Sequence, residues 1–255
     1  MPAISRLIIS GVDFRLVKPQ QLHAVACTLL DDDLTHWESR KQWAIGPLRG
    51  DETVGLSVLT VRSLSDQVED RLRTTARQGV RLVFGEQEGV LIEPPEQLRS
   101  SDWETLATPS PHPPRDWDLE CLSPTALSTG QRYTPLIVPP SLIRSLSKRW
   151  ESLRGRGEEG RRDWLPRLTD EQLTQVWVSA LAGDTITETI PHFSHKTVAD
   201  KVFPGFVGRM TIRCDDPVIA SAVDCYLRFA EYAGVGALTT HGFGTVRVRA
   251  SRTTA

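Results

Sequence analysis

Long apolar runs are missing from this chain: no stretch of about 18 apolar residues occurs, the minimum for a membrane-spanning helix. Its start, Met1-Pro2-Ala3-Ile4-Ser5-Arg6, has neither the charged opening nor the apolar core of a secretory leader. The expectation is a soluble, cytoplasmic protein with no membrane partner. Cysteine is scarce, with only Cys27, Cys121, Cys214 and Cys225, and none forms a Cys-x-x-Cys pair. That argues against a zinc ribbon and against a disulfide framework, and leaves ordinary core thiols. An excess of either charge is lacking as well. The 30 Lys and Arg against 32 Asp and Glu give a net charge of −2, which rules out a histone-like polycation. Tyrosine is limited to Tyr133, Tyr226 and Tyr232, all in the second half. What is present, 39% apolar and 24% charged residues over 255 positions, suffices for one large or two small globular domains.

Periodicity sketches the organisation. A strand over Leu7 to Ser10 precedes a helix opened by Pro19-Gln20-Gln21, with Leu22, Val25, Ala26, Leu29 and Leu30 at helical spacing. Extended segments follow at Trp43 to Ile45 and Leu56 to Val61. A polar helix from Gln67 to Gln78 stops at Gly79, and Val80 to Phe84 and Val90 to Ile92 read as strands. The order strand, helix, strand, strand, helix, strand is the ferredoxin-like one, found in many RNA-binding domains. Thr108 to Pro114, Thr-Pro-Ser-Pro-His-Pro-Pro, can neither pair in a sheet centre nor continue a helix, and reads as a linker.

Beyond it a strand begins at Leu119 to Leu122, and Leu142, Ile143, Leu146, Trp150 and Leu153 form an amphipathic stripe. Strands at Thr185 to Ile190 and Val207 to Ile212 follow. A helix from Pro217 to Ala233 puts Val218, Ala222, Cys225 and Phe229 on one face, and Thr245 to Val248 closes the chain's pattern. The second half thus repeats the order of the first, with extra helical material between Leu142 and Leu181. The expected architecture is α+β, two tandem ferredoxin-like (RRM-like, βαββαβ) domains. Residues 1–113 form the N-terminal one with the catalytic site, and 114–255 the C-terminal one with a glycine-rich RNA-binding loop.

That loop, Gly234-Val235-Gly236-Ala237-Leu238-Thr239-Thr240-His241-Gly242-Phe243-Gly244, lies between a helix and a strand. A dinucleotide fingerprint needs strand, glycines, helix in that order, and a P-loop ends in Gly-Lys-Ser/Thr; neither fits here. Two readings stand: a long turn whose glycines supply positive φ, or a bare backbone that lets amides approach an RNA backbone.

Combined with Phe206-Val207-Gly208-Arg209-Met210-Thr211-Ile212 upstream and Thr245-Val246-Arg247-Val248 downstream, the loop resembles the C-terminal signature of CRISPR-associated endoribonucleases, more narrowly the Cas6 family. Leu122-Ser123-Pro124-Thr125-Ala126-Leu127 resembles that family's entry to its second domain, and Ser145 to Trp150 its following helix. The resemblance implies cleavage of CRISPR repeat RNA to mature guides, without metal or other cofactor. In that chemistry a 2′-hydroxyl attacks the neighbouring phosphate and leaves a 2′,3′-cyclic phosphate and a 5′-hydroxyl. It requires a base, an acid and a cation at the phosphorane. The alternative is a noncatalytic RNA-binding subunit of a CRISPR effector complex. Repeat RNA is the implied partner, with effector subunits or a second copy of the chain as further candidates.

His36, in Leu34-Thr35-His36-Trp37-Glu38-Ser39-Arg40-Lys41, matches the family position where a His precedes a basic residue and a strand. Histidine suits the role because both its forms exist near neutral pH. Lys41 is the matching cation, with Arg40 beside it. Some members pair the histidine with a tyrosine on the first helix. None stands there in this chain, so His23 is the candidate acid, against a structural reading of the same residue. In the glycine loop, where relatives often carry Lys or Arg, the cradle would consist of Gly234, Gly236, Gly242 and Gly244 with Thr239 and His241.

Metal readings are weaker. Asp31-Asp32-Asp33 point in different directions, and His192 and His195 have no third ligand. For RNA, eight basic residues between Arg144 and Arg167, among them Lys148 and Arg149, face four acidic ones. Arg209 and Arg213 share one face of their strand, and so do Arg247 and Arg249 of theirs. If the two faces coincide they form a basic platform, whose charge reversal at Arg247 and Arg249 would weaken RNA binding.

Overall fold

A computed structural model describes residues 1–32, 41–51, 55–130, 132–154, 165–193 and 198–251, and the side chains of these except 51, 154, 191–193, 198 and 199. It divides into two units. The first comprises Met1–Ser101, Ile190–Asp200 and Leu238–Phe243; the second comprises Asp102–Thr189, Lys201–Ala237 and Gly244–Ala255.

The first unit runs β1 (Ala3–Ser10), α1 (Pro19–Leu30), β2 (Trp43–Ile45), β3 (Arg49–Asp51), β4 (Leu56–Ser63), α2 (Asp66–Thr75), β5 (Arg81–Phe84), β6 (Gln87–Leu91) and β7 (Glu96–Ser100). Its sheet follows the order β2-β4-β1-β6-β5, with β3 added on β4 and β7 on β1. That is the ferredoxin-like arrangement, in which the first strand lies between the third and the fourth. The stripe read from the sequence, Leu22, Val25, Ala26, Leu29 and Leu30, is the buried face of α1. It joins Leu7, Ile9, Leu59, Val61, Leu72 and Phe84 in one core, each large side chain contributing about 1.5–3 kcal/mol of burial. The polar helix starts at Asp66 because Ser65 caps it, its side chain accepting from the Val68 amide. The short strands β3 and β7 have no counterpart in the periodicity, since three residues and a fully exposed five-residue strand carry no alternation.

The second unit contains α3 (Trp103–Ala107), β8 (Asp116–Thr125), β9 (Leu127–Thr129), β10 (Arg132–Thr134), α4 (Pro139–Arg154), α5 (Asp170–Leu173), β11 (Trp177–Phe193), β12 (Val198–Arg213), α6 (Pro217–Ala233) and β13 (Val246–Ala250). Its sheet runs β11-β12-β8-β13, again with the first long strand between the third and the fourth. Both units are therefore ferredoxin-like. The α4 stripe from Leu142 to Leu153 is buried as expected, and Trp150 meets Phe229 of α6 and Trp103 of α3 edge-on at 4.9 and 4.8 Å. Two expectations fail in detail. Trp177 to Leu181 opens β11 and is not helical. Val218, in the first turn of α6, is 75% exposed while Ala222, Cys225 and Phe229 are buried. The proline-rich segment is held within the second unit: Arg228 donates to the Thr105 and Thr108 carbonyls at 2.6 and 2.7 Å, and Ser221 to the Ser110 carbonyl at 2.6 Å.

Candidate active site and RNA-contacting surfaces

Along α1, His23, Cys27 and Asp31 stand four residues apart and so follow one edge of the helix. At one end, His23 Nδ1 lies 3.0 Å from the Thr240 carbonyl. A carbonyl only accepts, so Nδ1 carries the proton, and in the neutral ring Nε2 is left to accept from the Cys27 thiol at 3.5 Å. The ring stacks on His241 at 4.1 Å, nearly parallel at 4°, and tilts toward Trp43 at 5.7 Å. Burial, and then the neighbouring His23, pull the His241 imidazole down to about 3. Burial together with the Asp31 carboxylate pushes the Cys27 thiol up to about 12, which makes it an inert thiol. The sequence assigns His23 the acid's task. In this structure one of its ring nitrogens faces a backbone carbonyl and the other a thiol, contacts that hold the loop tip against α1.

At the other end, Asp31 follows the last turn of α1. Its Oδ2 receives Lys41 Nζ at 2.6 Å and its Oδ1 the Trp43 indole N–H at 2.8 Å. The Lys41 and Asp31 side chains are only 8% and 3% exposed. An acidic residue at a helix C-terminus is electrostatically unfavourable by itself; this partner set explains its presence. Lys41 was expected as the cation facing the phosphorane. It is buried in a pair with Asp31, so any charge it lends to a phosphate acts through a partly neutralised couple. His36 and Arg40 lie outside the described residues, as do Asp33 and His195; for His192 no side chain is described. The described residues that bracket the His36 segment are Asp32 and Lys41. They line one pocket with Leu30, Asp31, Gln42, Trp43, Gln67, Val68 and Arg71.

The glycine loop is built largely by its own folding needs. Gly234 ends α6 at φ 72°, and Gly236, Gly242 and Gly244 also have positive φ. A Cβ on Gly236 would sit 2.1 Å from the Ala126 carbonyl oxygen. The amides of Val235, Ala237, His241 and Gly244 donate to the carbonyls of Gly244, Ala126, Leu238 and Pro124. These four amides are committed to the protein. Thr239 and His241 form a single 3-10 turn packed on α1 and β2.

Of the basic residues, Arg144 is exposed and pairs with Asp170 at 2.8 Å, Lys148 is exposed, and Arg149 is half-buried. The two arginine-bearing strand faces do coincide. Arg209 and Arg247 flank Glu120, Arg249 stands opposite Asp118, and Arg213 opposite Asp116. Arg247 reaches Glu120 at 3.2 Å and Arg213 reaches Asp116 at 3.4 Å. The face is thus a ladder of four arginines interleaved with three carboxylates, where the sequence allowed a purely basic platform. The central strand's acidic positions decide this, and only strand pairing brings them there. Among the described residues no group of three or more His, Cys, Asp or Glu side chains is placed to hold a metal. No described helix is long and apolar enough to cross a membrane.

Two ferredoxin-like units in one chain, with a glycine loop whose tip seats a histidine beside the first helix, define the class of tandem ferredoxin-like proteins. Comparisons narrow it. Residues 119–246, half of the chain, match the family model described as CRISPR-associated endoribonuclease Cas6. The chain belongs to this family, whose members process CRISPR repeat RNA. Among solved structures, it is similar to a Cas6 product complex at 24% identity and TM-score 0.71, covering 97% of this chain and 99% of that one. A second product complex, of a Thermus thermophilus Cas6, is 20% identical with TM-score 0.72, covering 98% and 100%. A Cas6-related protein from Pyrococcus furiosus is 11% identical with TM-score 0.56, covering 99% and 100%. At these identities the likeness carries the fold. No curated protein sequence matches the chain significantly.

Sequence reasoning missed Asp31 as a structural anchor. The signal was present in the spacing of His23, Cys27 and Asp31, which only a partner for that edge could have made meaningful.

Proposed function

We propose that this chain cuts CRISPR repeat RNA by metal-independent transesterification, with His36 transferring the proton. The 2′-hydroxyl of the nucleotide 5′ to the cut loses its proton and attacks phosphorus. The bond to the 5′ oxygen breaks, that oxygen takes up a proton, and the ends are a 2′,3′-cyclic phosphate and a 5′-hydroxyl. The observation that carries the reading is the buried Asp31–Lys41–Trp43 cluster. It ties Asp31 to Lys41, so the chain is anchored on both sides of the segment that contains His36. Lys41 then acts as a positioning residue for His36. Support comes also from solved relatives: Cas6 has been captured with its product, with a substrate mimic, and as a variant with one histidine replaced by alanine.

The test is incubation with the repeat RNA in excess EDTA. One defined cut ending in a cyclic phosphate, lost in His36→Ala, is the expected result. Cleavage only on adding magnesium overturns the mechanism, and binding without cleavage moves the chain to the noncatalytic alternative.

A further inference from the structure

We propose that Arg71 of α2 is a contact for a backbone phosphate of the bound RNA, a subsite in the pocket beside the Asp31–Lys41 pair; the proposal rests on the RNA-processing reading above. Among the described residues, four charged side chains line that pocket. Asp31 and Lys41 pair with each other, and Asp32 accepts from Gln67 Nε2 at 3.1 Å. Arg71 differs from them. Its Nε is buried with no hydrogen-bond partner among the described residues, whereas Arg73, two residues on, is matched to Glu69 and Gln97.

A buried guanidinium N–H without an acceptor is a penalty that a native fold seldom tolerates without reason. The Nε itself is closed to solvent, so an anionic oxygen from a ligand would meet the guanidinium through its terminal nitrogens, on the side of this half-buried residue that lines the pocket. The planar, fixed fork of donors suits a phosphate, which offers two oxygens at the matching spacing. The pocket is small, and its apolar side is closed by Leu30, Val68 and the buried Trp43. The charges of the described lining residues sum to zero, so the attraction they supply is local to Arg71. Asp32 and Lys41 border the His36 segment in sequence.

The experiment measures binding of repeat RNA made uncleavable by a single 2′-deoxy nucleotide 5′ to the cut, by fluorescence anisotropy over a series of salt concentrations. It compares the full chain with Arg71→Gln and Arg71→Lys, each checked for an unchanged thermal midpoint. Arg71→Gln is expected to weaken binding about three- to tenfold and to lower the salt slope by about 0.7, one single-strand phosphate contact. Arg71→Lys is expected to keep the slope and lose part of the affinity, because an ammonium lacks the fork. Affinity and slope equal to the unmodified chain in Arg71→Gln overturn the proposal. Should that variant not fold, equal affinity in Arg71→Lys overturns it. Cleavage of all-ribose RNA by the unmodified chain is read separately. If it cuts while Arg71→Gln binds normally, the subsite alone falls. If it binds without cutting, the catalytic reading alone falls, and if it does not bind repeat RNA, both do.

Discussion

Asp31 carries more of the first unit's local order than any other polar residue at the site, holding a lysine and a tryptophan at once. Removing one member of a buried ion pair leaves the other charge uncompensated, a cost of about 3–5 kcal/mol. Asp31→Ala is therefore expected to lower the urea unfolding free energy by roughly that amount. Asp31→Ala combined with Lys41→Met should recover most of it, and a double variant no more stable than the single one would contradict the pairing. His241 gives a second prediction. Its folded-state value, about 3, lies below the ordinary 6.5, so the unfolded chain binds the proton more readily. Its contribution is fully present above pH 6.5 and fades as pH falls from 6.5 toward 3, by at most about 1.4 kcal/mol per unit. His241→Phe keeps a ring to stack on His23 and removes the titration; its unfolding free energy should fall less steeply over that range than that of the unmodified chain.

Glycines with similar φ do different jobs, and at the level of elements the loop after α6 depends on them most. Gly236, at φ 80°, has the Ala126 carbonyl where a Cβ would stand, while Gly79, at φ 83°, has nothing within 4 Å. Gly79→Ala is expected to cost about 1 kcal/mol of backbone strain. Gly236→Ala should cost clearly more, on the order of 2–4 kcal/mol, because the loop must also retreat from Ala126. Thermal unfolding of the two variants checks the contrast. Helices α1 and α4 were legible in the sequence because a 3.6-residue stripe is a property of one segment alone. The strands β3 and β7 were not, since they are short or exposed and exist only by pairing with β4 and β1.

For the molecule as a whole, near-neutral net charge says little about where nucleic acid binds, because the charges are sorted by surface. The sheet face of the second unit shows this. Its four arginines oppose three carboxylates, so charge reversal at Arg247 and Arg249 should weaken RNA binding partly by disturbing the ladder. The cleaner variant is Glu120→Gln, which frees Arg247 and removes the carboxylate opposite Arg209. If RNA lies on this face, binding is expected to tighten by about two- to tenfold and the salt slope to steepen. Unchanged affinity places the RNA on other surfaces.

The sequence by itself determined the two ferredoxin-like repeats, the helical stripes and the family resemblance, because local periodicity and short motifs are written residue by residue. It also marked His36, through a motif and not through geometry. Only the tertiary structure decided where the other candidates sit. It set His23 against the loop tip, buried Lys41 against Asp31, interleaved the expected basic platform with acids, and left the Arg71 Nε with no hydrogen-bond partner among the described residues. These depend on residues brought together by folding, Asp31 with Lys41 across an intervening segment, and His23 with Thr240 and His241, and Glu120 with Arg209 and Arg247, from far apart in the chain. The free energy of a charge or an imidazole is set by what surrounds it, and no spacing along the chain records that.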